Sequence, residues 1–130
     1  MDNSCVLKLA HMVFDEISFQ RENFQTSSDL NLEFGFNFES GEDGNFIARI
    51  RVAGNKENEY KFVVRASGYF NTSESGKDGQ TILYQNAVAI IFPYIRSQIT
   101  LLTAQPEVDP VVLQPFNIAQ MVEDAMKKAK

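Results

Sequence analysis

The chain has 130 residues, 44% of them hydrophobic, and a formal net charge of −5. That is the size of one domain, and it lacks the basic surface that nucleic-acid binding requires. Its single cysteine, Cys5, excludes an internal disulfide and a cysteine-based zinc cluster. Met1-Asp2-Asn3-Ser4 lacks the positive start of a signal peptide, and the longest apolar run, Ala87 to Ile95, is too short for a bilayer. A cytoplasmic, soluble protein without membrane insertion is therefore expected, with residues 1–130 as one domain. Eleven Phe residues are many for so small a core, so part of the apolar surface could serve a partner.

Strands come first in the chain. Cys5, Leu7, Leu9 and Val13 alternate with smaller or more polar residues, and Ile17 and Phe19 resume the phase. Leu30, Leu32, Phe34, Phe36 and Phe38 then share one face of a second strand, with Asn31, Glu33, Gly35, Asn37 and Glu39 on the other. The glycine-bearing run Ser40 to Gly44 predicts a turn. A third strand runs from Phe46 to Ala53, a second turn spans Gly54 to Asn58, and a fourth strand runs from Tyr60 to about Phe70. Short connections between successive strands imply an antiparallel meander with one apolar face.

The period then changes. Ile82, Leu83, Val88, Ile90, Ile91, Ile95, Ile99 and Leu102 predict a long helix from about Thr81 to Thr103. Pro93 lies inside it, removes one hydrogen bond and should kink the axis near Ala89. Around Val88 to Phe92 this helix is apolar on every side, which one four-stranded sheet cannot cover, so Val88, Ile90, Ile91, Phe92 and Ile95 are the expected oligomer interface. Gln105 to Phe116, with three prolines, reads as an extended connector. Asn117 is a plausible N-cap for a shorter last helix, in which Ile118, Met121, Val122, Ala125 and Met126 form the apolar stripe. The fold class is thus α+β: four antiparallel strands, a long proline-kinked helix and a short C-terminal helix.

Catalytic and metal-binding patterns are not apparent. His11 is the only histidine and has no carboxylate at a suitable spacing, and Cys5 has no basic neighbour in sequence. Ser75-Gly76-Lys77-Asp78-Gly79 departs from a phosphate loop, because the first glycine is missing and Asp78 follows the lysine. No enzyme activity, metal or cofactor is expected. Binding has better support, since methionines suit surfaces that accept varied apolar partners.

Ile91-Phe92-Pro93-Tyr94-Ile95-Arg96, followed by Ile99-Thr100, resembles the Phe-Pro-Tyr-x-Arg run in the first helix of the SecB family of export chaperones. Leu113-Gln114-Pro115-Phe116-Asn117-Ile118 is similar to the family's approach to its second helix, and Ile17-Ser18-Phe19 to the end of its first strand. The resemblance implies a homotetramer, a dimer of dimers, with helices between two sheets. It also implies an ATP-independent holdase for unfolded or export-bound polypeptides, with Phe19, Phe24, Phe116, Met121, Val122 and Met126 as candidate groove residues. Members that serve the export motor SecA offer it acidic residues, for which Asp15 and Glu16 are the candidates here. Val63, flanked by Lys61 and Arg65, and Gln20 depart from that acidic pattern and put SecA delivery in doubt. Two alternatives are an oligomeric module with a dedicated partner, such as an antitoxin, and a small-molecule binder.

Overall fold

The computed structural model describes residues 7–72, 80–114 and 117–128. Four long strands are followed by two helices: β1 (Leu7–Arg21), β2 (Leu30–Ser40), β3 (Asn45–Lys56), β4 (Tyr60–Thr72), α1 (Gln80–Thr103) and α2 (Ile118–Lys128). All neighbouring strands are antiparallel, as the alternation requires. The order across the sheet, however, is β1-β4-β3-β2. Only β2, β3 and β4 form a meander; β1 crosses over and pairs with β4. Alternation tells a strand which face to bury but carries nothing about which neighbour it takes.

The inner faces of β3 and β4 supply Phe46, Ala48, Ile50 and Val52, then Tyr60, Phe62, Val64, Ala66 and Phe70, all buried. On β2 the expected phase holds, with Leu30 to Phe38 packed against this core. The first strand differs. Register shifts between Leu9 and His11, and between Phe14 and Glu16, mark two bulges that re-aim the side chains between them. Met12 and Phe14 therefore turn inward, and Val13, expected in the core, is 44% exposed opposite Ser67 on the outer face.

Helix α1 lies across the inner face. Tyr84, Ala87, Val88, Ile91, Phe92, Ile95 and Ile99 recur at helical spacing and are buried there. The helix passes close over Gly68: a Cβ placed there would lie 2.7 Å from the Phe70 ring and 3.1 Å from Cγ2 of Ile91. Pro93 and Ala89 both lie on the exposed side, where water can reach the carbonyl that the proline leaves free. Thr103 ends the helix by joining it to the connector: its hydroxyl donates to the Ile99 carbonyl at 2.8 Å and accepts from the Val111 amide at 2.8 Å. Val108 and Leu113 anchor that connector in the core.

The outer face of the sheet is charged. Arg49 pairs with Glu39 at 2.9 Å, Arg65 with Glu16 at 2.9 Å, and Arg51 more loosely with Glu33 at 3.8 Å. These pairs are half open to water and contribute little each, so this face is fixed by the ladder beneath it rather than by its charges.

Candidate functional site

Asn117 caps α2, its Oδ1 accepting the Gln120 amide at 3.0 Å. The stripe that follows divides by depth: Val122 is fully buried, Ile118 and Met126 pack at the margin of the core, and Met121 and Ala125 are half-buried. A hydrogen bond from Gln85 Nε2 to the Ala119 carbonyl, 3.1 Å, ties α2 to α1.

This placement leaves a gap beside the edge strand β2. Phe38 stacks flat on Tyr84, with ring centroids 4.2 Å apart and planes 2° from parallel. Tyr84 is held in turn by a 2.9 Å hydrogen bond between its hydroxyl and that of Ser40. Opposite these rings stand Ala125 and Met126. Between them lies an open cleft of about 220 Å³, bounded by Phe36, Asn37, Phe38, Tyr84, Ala125 and Met126. Its walls are aromatic faces and a thioether chain, which accommodate apolar side chains of varied shape. The β2 edge beside it carries backbone groups of the kind an extended chain can pair with. Larger hollows of about 330 Å³ and 310 Å³ lie on the outer face, but among the described residues each is lined by strand and turn residues alone.

The other end of the sheet carries a different feature. Phe19 stacks on Tyr60 at 5.1 Å. Next to them the carboxylate of Glu59, 1% exposed, accepts the Thr26 amide at 2.7 Å and faces Lys56 Nζ at 3.1 Å. Burial pushes the Glu59 pKa up, but the Thr26 amide and then Lys56 outweigh it, leaving the group below the ordinary carboxylate value. Phe24, in the loop so held, is 73% exposed.

The expected groove residues do not converge. Met126 lines the cleft beside β2, whereas Phe19 lies on β1, three strand spacings away, or roughly 14 Å. Phe24 belongs to the loop corner, and Val122 belongs to the core. Phe116, with Cys5 and the Ser75–Gly79 stretch, lies outside the described residues. The oligomer-interface reading needs correcting as well. Val88, Ile91, Phe92 and Ile95 are covered by the chain's own sheet, and of the five only Ile90 faces outward, at 37% exposure. The apolar side left open is instead the stripe Ile82, Ile90, Tyr94 and Leu101. Asp15 and Glu16 both lie on the outer face and are engaged there. Asp15 accepts the Ser67 hydroxyl at 2.6 Å, while the Arg65 guanidinium, followed by the Ser18 hydroxyl, holds Glu16 below its ordinary pKa. His11 sits edge-on to Tyr69. Two residues escaped the sequence reading. Tyr84 could have been found by extending the stripe of Val88 and Ile91 one turn back, whereas Glu59 is engaged by Thr26, 33 residues away, a contact that no local pattern announces.

Among the described residues, no helix is long and apolar enough to cross a membrane, and no three His, Cys, Asp or Glu side chains gather as a metal site would. Residues 7–129 match the family model of SecB, preprotein translocase subunit SecB. An uncharacterized protein of Methanocaldococcus jannaschii is 30% identical over 91% of this chain and 83% of its own length. Among solved structures, the Rv1957 SecB-like chaperone of Mycobacterium tuberculosis, in complex with a peptide from the HigA1 antitoxin, superposes with a TM-score of 0.70. That match covers 85% of this chain and 88% of the other at 14% identity. A Streptococcus agalactiae protein of unknown function superposes at 0.57, covering 87% and 99% of the two chains at 9% identity. At those identities the superpositions speak for the fold, and the family model speaks for the lineage: the chain belongs to the SecB family.

Proposed function

We propose that this chain is an ATP-independent molecular chaperone, a holdase that binds unfolded or export-bound polypeptides through apolar side chains. The observation that carries the reading is the open cleft between the β2 edge and α2, walled by Phe36, Phe38, Tyr84 and Met126. Such a wall gives non-directional burial, which suits a binder that must take many sequences. Membership of the SecB family agrees with it. We read the assembly as a homotetramer, a dimer of dimers, with the outer stripe of α1 (Ile82, Ile90, Tyr94, Leu101) as the covered surface. The reading has the protein act in the cytoplasm without enzymatic chemistry. Hand-over to SecA through Asp15 and Glu16 is not part of it, because both acids are already engaged.

A dedicated partner is the second reading. Its support is the similarity to a SecB-like chaperone seen with an antitoxin segment. One experiment separates the two. The purified protein should suppress aggregation of a chemically unfolded test protein without ATP and at near-stoichiometric ratios. Failure against several unrelated test proteins, together with capture of one endogenous polypeptide from native extract, would replace the general holdase by the dedicated binder.

A further inference from the structure

The eight residues between β1 and β2, 22–29, form a loop without regular structure. Five backbone amides in it are nevertheless satisfied. The Glu22 and Asn23 amides both donate to the Glu59 carbonyl, at 2.7 and 3.2 Å. The Phe24 amide donates to the Asn23 side chain at 2.8 Å, the Thr26 amide to the Glu59 carboxylate at 2.7 Å, and the Ser28 amide to the Thr26 hydroxyl at 3.2 Å. Glu59 thus grips the loop on both sides of Phe24, by its carbonyl before and its carboxylate after. Arg21 adds a third tie, donating to the Asn23 carbonyl at 2.8 Å and to the carbonyls of Pro106 and Glu107 at 3.1 and 3.2 Å. The β1–β2 loop, the β3–β4 turn and the connector are locked together at one corner.

The grip leaves one side chain outside. Phe24 is the most exposed large hydrophobic residue of the described chain, while five of the eight amides in the loop carrying it are hydrogen-bonded. Burying a carboxylate is a costly way to close a turn, and a turn alone does not need it. A rigid loop displaying an aromatic ring, by contrast, loses little conformational freedom when that ring is covered.

We propose that Glu59 is a positioning residue for polypeptide capture, holding the 22–29 loop in the conformation that displays Phe24 as a preformed anchor for an unfolded client chain. This rests on the holdase reading above. Glu59 itself touches no client; it acts through Phe24. The titratable groups facing it are Lys56 on its own turn, which pairs with it, and Tyr60 on β4, which feels its charge.

The test is a double-mutant cycle read by titration against reduced, carboxymethylated α-lactalbumin, a chain that stays unfolded. Phe24→Ser and Glu59→Ala should each weaken binding about tenfold, and Glu59→Ala should cost nothing further in the Phe24→Ser background. Amide exchange at residues 22–28 should accelerate in Glu59→Ala. If Glu59→Ala destabilises the fold too far, Thr26→Pro makes the same test, since it deletes the donated amide and leaves Glu59 and Lys56 paired. Equal losses in both backgrounds would reduce Glu59 to a structural residue and overturn the proposal. A change of oligomer mass in Phe24→Ser would overturn it too, by making Phe24 a subunit contact. A wild-type protein that binds the probe while both variants bind it equally well refutes the anchor alone. A wild-type protein that does not bind it refutes the holdase reading and the anchor together.

Discussion

Ile90 and Ile91 are neighbours in sequence about 100° apart around α1, one partly exposed and one buried, and substituting each by alanine tests the burial that separates them. Ile91 is fully buried and packs where the helix meets Gly68. Truncation removes three carbons, about 2.4 kcal/mol of transfer free energy at ~0.8 per methylene, before any cavity term. The floor beneath is backbone and an aromatic ring, which cannot collapse far, so the total should be about 3 kcal/mol. For a domain of this size that lowers the melting temperature by roughly 10 °C. Ile90 is already 37% exposed in the single chain, so its truncation should cost less than about 1 kcal/mol in a dilute, dissociated sample. If the outer stripe is covered by another subunit, the Ile90→Ala penalty should depend on protein concentration, because association stabilises only the folded form. Circular-dichroism melts at two concentrations a hundredfold apart measure both effects. Equal penalties for the two variants under dissociating conditions, or an Ile91→Ala shift within about 2 °C of wild type, would refute the assignment of the two faces.

Gly68→Ala should cost about 1–3 kcal/mol, because its methyl meets Phe70 and Ile91 in a packed interior; chemical denaturation measures it. Glu59 has a folded pKa below its ordinary value of 4.5, so its stabilising effect is present above that pH and is lost as pH falls through the lower folded value. Wild type should therefore lose stability more steeply than Glu59→Gln from about pH 4.5 downward, and parallel curves would contradict the buried ion pair. Met126→Ser should weaken client binding by up to about tenfold with a melting shift of only a few degrees, since Met126 stands at the margin of the core. A large melting shift with client affinity unchanged would return it to the core.

Much of the fold was legible because period is written into side-chain order. The Leu30-to-Phe38 alternation became β2, the apolar run around Pro93 became α1, and Asn117 became a cap with a measurable bond to Gln120. What stayed hidden depended on partners. The bulges in β1 reverse the facing of Val13 because one extra residue flips everything beyond it, and no local signal announced them. Along α1 both sides are greasy. The pattern therefore said that two faces needed cover but not that Ile91 and Phe92 meet the sheet while Ile90 and Leu101 do not. The site failed for the same reason. Phe24 and Met126 are equally plausible groove residues in sequence, and only the tertiary contacts put one at the Glu59 corner of the sheet and the other beside Phe36 and Phe38.

That strand order also governs when the molecule can close. Leu7 must find Thr72 and Arg21 must find Tyr60, so the first strand made is the last that can be paired. Hairpins β2–β3 and β3–β4 can form locally, but the β1 pairing carries the loop-closure entropy of everything between. Until Thr72 leaves the ribosome, Leu7, Leu9, Met12 and Phe14 travel as an unpaired apolar strand. During synthesis the protein is itself the kind of extended chain that a holdase would bind.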